Sequence, residues 1–366
     1  MAHSMTAILP AVPNPRNGMH AIERRFLVMR RAPPDLAGAM RCAFAHVMAS
    51  DACDGDGHDG DGQAAPDPDF RLPLLFEAGL AIAAEVDQEA IRAIDAGQGE
   101  LAYHNRYHFS EATLAMGWLC GIARARGMIT LHQAALGVVA MVGHDLGHDG
   151  SWNQTGELEA LSAGAVAAIA ASVGVGPDDQ MALRGVVLAT ALNAVRENKI
   201  RAADRERAGH RQVGVDALHL IASEADVLTS LMPGLGCRLG HALAAEWAAN
   251  PGTPPLDPSS FTGRVAFLRL HDYLSDASIE LGLLRMHVSQ VMAFRQLAVR
   301  CGLVAEAEAG AAILDRLPPR QAARIFTAAM LQTSSGKPPQ VSAAGGLAGG
   351  LPSGLLDGVH RGLHLI

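Results

Sequence analysis

The sequence predicts an all-α protein, and two observations carry that expectation. Ala- and Leu-rich stretches with apolar residues three and four positions apart recur from about Asn105 to Cys301, the spacing that lines up one face of a helix. Few segments combine β-branched residues with the strict alternation that marks a strand. At 366 residues the chain is long enough to bury a sizeable core.

Four parts follow in order. Residues 1–49 read as a short N-terminal helical region. Residues 50–69 (SDACDGDGHDGDGQAAPDPD from Ser50) are acidic and rich in Gly and Pro, which predicts a flexible loop. The run DGDGHDGDG invites a calcium reading, but it lacks the EF-hand spacing and its closing Glu, so a solvated linker is the expectation. Residues 70–332 carry the helical pattern without internal repeat and are expected to form one compact multi-helix catalytic domain. Residues 333–366 are rich in Gly, Ser and Pro and read as a flexible tail.

Composition narrows the function classes. About half the residues are apolar (49%), yet no run of ~18 uncharged apolar residues occurs, so no membrane span is expected. The start MAHSMTAILPAVPNPRNG lacks a basic stretch followed by an apolar one, so no secretory signal is expected. Cys42, Cys53, Cys120, Cys237 and Cys301 are dispersed, with no C-x-x-C pair. That suits a reduced cytoplasm and argues against a cysteine zinc site. The formal net charge of −8 and the lack of a basic patch argue against a nucleic acid polymer as partner. An anionic small molecule is still accommodated if metal cations dominate the local field.

Histidine and carboxylate cluster in three places. The first is Tyr103-His104-Asn105-Arg106-Tyr107-His108, where His104 and His108 are four apart and share one face if both sit in the first turn of a helix. The second is His144-Asp145-Leu146-Gly147-His148-Asp149-Gly150, fed by the apolar stretch His132–Gly143, which predicts a buried helix ending at a His-Asp doublet. The third is Ala225-Asp226 on a helix predicted to start near Val215. Imidazole with carboxylate suits zinc, iron or manganese; carboxylate with water suits magnesium or manganese. An Asp can bridge two cations where a His binds one, so the doublet with a distant His and a distant Asp reads as an asymmetric two-metal site. A lone His on an apolar helix is more often a core residue or cap. In a chain with 18% charged residues, the conjunction of these clusters favours metal ligands, because buried ionisable groups are costly unless paired or metal-bound.

At these residues the sequence resembles the class I cyclic nucleotide phosphodiesterases, a branch of the HD-domain phosphohydrolase superfamily. Tyr103–His108 resembles the family's Y-H-N-x-x-H, and His144–Gly150 its H-D-x-x-H-x-G, with Asp149 where the family usually has Pro. Asn153, Ala225-Asp226 and Ser289-Gln290-Val291 resemble later elements, so the likeness spans roughly residues 100 to 300. It implies a helical HD/phosphodiesterase-like fold that hydrolyses a 3′,5′-cyclic nucleotide, cAMP or cGMP, to the 5′-monophosphate. His108, His144, Asp145 and Asp226 would hold the tighter metal, typically zinc. Asp145 would bridge to a second, typically magnesium, with manganese or iron as alternatives. His148, Glu159 and Thr190 would hold the waters of the second metal. His104 would be the general acid, protonating the leaving oxygen as a metal-bridging hydroxide attacks, with Glu246 orienting it. Gln290 would hydrogen-bond the base, Phe294 would supply an aromatic clamp, and Asn153 would contact substrate. Phe294 lies four residues after Gln290, where the family spacing is three.

The runner-up is another HD-type phosphohydrolase, a nucleotidase or a different phosphodiesterase. Further off are a di-iron HD-like oxygenase and a catalytically silent nucleotide-binding module. The partner expected is a small-molecule nucleotide, with no nucleic acid polymer and no membrane; a homodimer stays open.

Overall fold

A computed structural model of the chain describes residues 18–50, 71–152, 155–249, 257–272 and 274–334. Among these residues there are fifteen α-helices and no strand, so the all-α expectation is met. No helix among them is long and apolar enough to cross a membrane. Nearly all of the acidic loop and of the tail, with Asn153, lies outside the described residues.

Two central helices organise the rest. α1 (Gly18–Met29), α2 (Leu36–Ala49) and α3 (Leu72–Asp95) precede them. α4 (Arg106–Ala125) is buried at every position from His108 to Ala123, as expected of a helix enclosed on all sides. α5 (Leu131–Val142) is buried from Ala134 to Val142. It starts at a capping box in which Thr130 and Gln133 bond each other's backbone N–H, which satisfies two donors that a helix N-terminus leaves open. α6 (Glu157–Ser172), α7 (Pro177–Leu188) and α8 (Leu192–Arg207) follow, then α9 (Gly214–Leu231), which packs on both α4 and α5.

The remaining helices are α10 (Pro233–Ala248), α11 (Phe261–Leu270), α12 (Asp276–Leu281), α13 (Leu283–Arg300), α14 (Ala307–Asp315) and α15 (Pro319–Ser334). α11, α13 and α15 meet through Phe261, Phe294 and Phe326, with Phe294 and Phe326 stacked at 4.8 Å.

The N-terminal helices, set apart as residues 1–49 in the sequence reading, contribute to the same core as the central ones. Ile22, Phe26, Met40 and Ala43 are fully buried, and Phe26 meets Trp118 of α4 edge to face at 5.4 Å. α2 lies close on α4 because Gly117 has no side chain: a Cβ there would sit 2.7 Å from the Ala43 Cα, and backbone cannot move aside as a flexible side chain can. Gly117→Ala should therefore destabilise the protein. Overpacking costs about 1–3 kcal/mol, against ~1 kcal/mol that alanine gains in helix propensity. The urea unfolding midpoint checks this, and a higher midpoint in the variant would contradict the close approach of α2 to α4.

Candidate metal centre

His108, His144, Asp145 and Asp226 converge: one each from α4 and α9, and an adjacent pair that follows α5. Asn105 caps α4, its Oδ1 accepting from the N–H groups of Tyr107 (3.0 Å) and His108 (3.4 Å), which places His108 in the first turn. The His-Asp doublet follows α5 directly through Gly143. A Cβ at Gly143 would lie 2.6 Å from Ile82 and 2.8 Å from Val166, so only glycine lets the chain turn there between α3 and α6. Asp226 sits on α9, packed against both helices. The ligand atoms of the four residues lie within 4.8 Å of one another. His108 Nε2 is 3.1 Å from Asp145 Oδ2 and 3.2 Å from Asp226 Oδ1; His144 Nε2 is 3.0 Å and 3.3 Å from the same two oxygens.

The donor set fits a divalent cation. His144 Nδ1 lies 2.9 Å from the Met141 carbonyl; donation there leaves the Nε2 lone pair facing the centre, the arrangement that orients metal-binding histidines. Both imidazoles are fully buried. With both neutral, the quartet carries two carboxylate charges in a desolvated site, which one divalent cation balances.

The protonation of the quartet reflects this pairing. Burial by itself pushes the Asp145 carboxyl up, but the His144 charge and hydrogen bonds from His108 and His144 outweigh it and hold Asp145 well below the usual carboxylate range. Burial likewise opposes ionisation of Asp226, and the hydrogen bonds and charges of His108 and His144 bring it down to about 2. Burial lowers both histidines, yet the two carboxylates raise His144 well above its ordinary value and raise His108 as well.

Beside the quartet lies a second group. His104 Nδ1 is bonded to Glu246 Oε1, while Glu246 Oε2 accepts from the N–H of Tyr103 at 2.8 Å and of His104 at 3.2 Å. Burial opposes ionisation of Glu246, but these hydrogen bonds and the His104 charge hold its carboxyl below the ordinary value. The Tyr103 hydroxyl meets Ser230 Oγ at 2.9 Å, tying this group to α9 four residues after Asp226. His148 stacks on His104, ring centres 3.8 Å apart. Its Nδ1 accepts from the Gly150 N–H at 2.9 Å, so the neutral ring carries its proton on Nε2. Burial, with the neighbouring His104 charge, pushes His148 down to about 4, so it is uncharged near neutrality.

Both groups open on one cavity of about 450 Å³, whose lining includes His104, Asp145, His148, Glu159, Thr190 and Asp226. The structure thus brings the expected ligands, His104 with Glu246, and the three expected water-holding residues to one place. The condition for His104 and His108 to share a helical face is not met: α4 begins at Arg106 because the Asn105 side chain takes the N–H groups of Tyr107 and His108, and His104 lies in the preceding bend, its ring still 5.7 Å from that of His108. Two expectations are corrected. Gln290 is fully buried outside the cavity lining, its Oε1 accepting from Arg264 at 2.6 and 3.1 Å and its Nε2 donating to the Leu231 carbonyl at 2.8 Å. Phe294 is also fully buried away from the lining, in the phenylalanine cluster of α11, α13 and α15. Sequence reasoning missed Trp152, Trp247 and Arg264, which do line the cavity. The position of Trp247 next to Glu246, and of Trp152 four residues after His148, was the signal that could have found the first two.

In comparisons with known proteins, no family model matches the chain and no curated protein matches its sequence.

Because a metal must displace protons from His108 and His144, whose carboxylate neighbours raise their proton affinity, lowering the pH should favour protons over metal. Metal retained after gel filtration, measured by elemental analysis, should fall between about pH 8 and about pH 5.5. Equal retention at both would show that the two imidazoles are not ligands.

Proposed function

We propose that the chain is a metal-dependent phosphodiesterase that hydrolyses a 3′,5′-cyclic nucleotide, cAMP or cGMP, to the 5′-monophosphate. One observation carries the reading: a metal-binding quartet and a separate, carboxylate-oriented histidine open side by side on one cavity. The motif resemblance over roughly residues 100 to 300 supports it.

Two divalent cations, zinc and magnesium by that resemblance with manganese or iron as alternatives, would supply phosphate charge neutralisation and water activation when bound. The side chains divide the remaining work. His108, His144, Asp145 and Asp226 would hold the tighter cation, and Asp145, which faces the cavity, is the residue that would also serve the second. Glu246 occupies His104 Nδ1, which fixes the ring and leaves Nε2 as the nitrogen that gives a proton to the departing sugar oxygen. An alkoxide is a poor leaving group unless protonated as the P–O bond breaks. His148, neutral and with its Nε2 proton available, donates a hydrogen bond rather than charge. Glu159 and Thr190, on the same lining, are placed to hold water.

A second reading, another HD-type phosphohydrolase, is favoured by one observation: Gln290 and Phe294, the expected base-reading pair, do not reach the cavity. Incubating metal-loaded protein with cyclic nucleotides, cyclic dinucleotides and nucleoside monophosphates, and identifying products, tests both. 5′-Monophosphates from cyclic nucleotides support the first reading; inorganic phosphate from monophosphates supports the second; no cleavage of any of them refutes both.

His104→Asn should lower kcat by ~10²–10⁴ with metal content unchanged. The defect should shrink for a p-nitrophenyl phosphodiester, whose leaving group departs without a proton. Loss of metal, or equal impairment on both substrates, would remove the general-acid role. Asp145→Ala should deplete both cations while His108→Ala mainly weakens one. Two metals per chain in Asp145→Ala would refute the shared carboxylate.

A further inference from the structure

Gln290 is held away from any ligand. A side-chain amide offers two donors and two acceptor lone pairs; here the oxygen takes two N–H groups of Arg264 and the nitrogen donates to Leu231. Turning the amide toward a base would leave buried polar atoms of Arg264 unpaired, which is unfavourable. Arg264 is itself committed to the carbonyls of Ser230, Leu231 and Met232 at the end of α9, which fixes the guanidinium that holds the Gln290 amide.

The cavity lining also offers flat, apolar surfaces. Trp152 and Trp247 both line it, half-buried, and meet edge to face with ring centres 4.8 Å apart and planes at 77°. An edge-to-face pair covers one face of one ring only, leaving the other faces for a third planar group. Both tryptophans are close in sequence to the His104 and His148 group. Trp247 follows Glu246, the partner of His104; Trp152 lies two residues beyond Gly150, whose N–H donates to His148.

We infer that Trp152 and Trp247 form the wall that binds the planar group of the substrate, by stacking, so that adenine and guanine are accepted alike. Stacking tolerates any base because every base has a π-face, whereas telling adenine from guanine needs hydrogen bonds to the base edge, and the amide proposed for that is occupied. The inference rests on the phosphodiesterase reading for the nucleotide character of the substrate.

The test is a titration of the full-length protein, in magnesium, with AMP, GMP and ribose 5-phosphate, following tryptophan emission. The sequence has three tryptophans, and the third, Trp118, is enclosed in the core, so changes in emission report on the wall. AMP and GMP should quench emission and bind within roughly 3-fold of each other, and ribose 5-phosphate should leave emission unchanged. By calorimetry, Trp152→Leu and Trp247→Leu should weaken both nucleotides roughly 10-fold, and Trp247→Phe, which keeps a flat ring, should restore most of the affinity. A preference between AMP and GMP of more than about 10-fold in the unmodified protein, the mark of hydrogen-bond reading, would overturn the inference without relying on any variant. Unchanged affinity in both leucine variants would overturn it too. The two readings fail separately: stacking without hydrolysis of any cyclic nucleotide would sink the phosphodiesterase and leave the wall, whereas hydrolysis with strict base preference would sink the wall alone.

Discussion

Two carboxylates, Asp145 and Asp226, are drawn toward the same pair of buried imidazole nitrogens, and the architecture around them follows from the need to balance that charge. Isolated, either would be neutralised by burial in an apolar helical interior. Together with His108 and His144 they form a set that is stable when protons or a divalent cation supply positive charge. Holding four donors within 4.8 Å requires α4, α5 and α9 to approach closely. This accounts for the dense burial of α4 and α5 and for a glycine at 143, where a side chain would strike Ile82 and Val166.

The same constraint extends outward through hydrogen bonds. Asp226 keeps its place only if the end of α9 is fixed, and the last carbonyls of a helix lack partners within it. Arg264 supplies them, and Gln290 in turn holds Arg264. A cation at a helix C-terminus also meets the favourable end of the helix dipole, which offsets part of the cost of burying the guanidinium. From Ser230 the chain of contacts runs to the Tyr103 hydroxyl, and through the Tyr103 N–H to Glu246 and His104. The end of α9, the His/Asp quartet and the orienting carboxylate are thus parts of one connected polar structure, in which a disturbance at Arg264 would be felt at His104.

This arrangement gives the cavity lining two unlike kinds of surface. One is polar and electrostatically tuned, with carboxylates kept ionised and His148 kept neutral by its surroundings. The other is aromatic and apolar, with Trp152 and Trp247 as its broad surfaces. The substrate we propose, a phosphate ester with a planar group, would offer one charged part and one flat apolar part to these two surfaces.

The sequence by itself determined the helical class, the helix that ends at His144-Asp145, and the start of α9 near Val215, because hydrophobic periodicity and short motifs are local properties of the chain. The candidate ligand set was legible for the same reason: the adjacent His144 and Asp145 and the short run Tyr103–His108 are written at short range. Whether His104 joins the first turn of α4 was left open by the periodicity, because Asn105 caps the helix rather than extending it, a local competition that periodicity does not register. What Gln290 and Phe294 do was decided only in three dimensions. Gln290 is claimed by Arg264, 26 positions away in sequence, and Phe294 by the rings of Phe261 and Phe326. A side chain's partners across the fold depend on how helices cross, and that is set by packing of distant surfaces rather than by the residue's own neighbours in the chain.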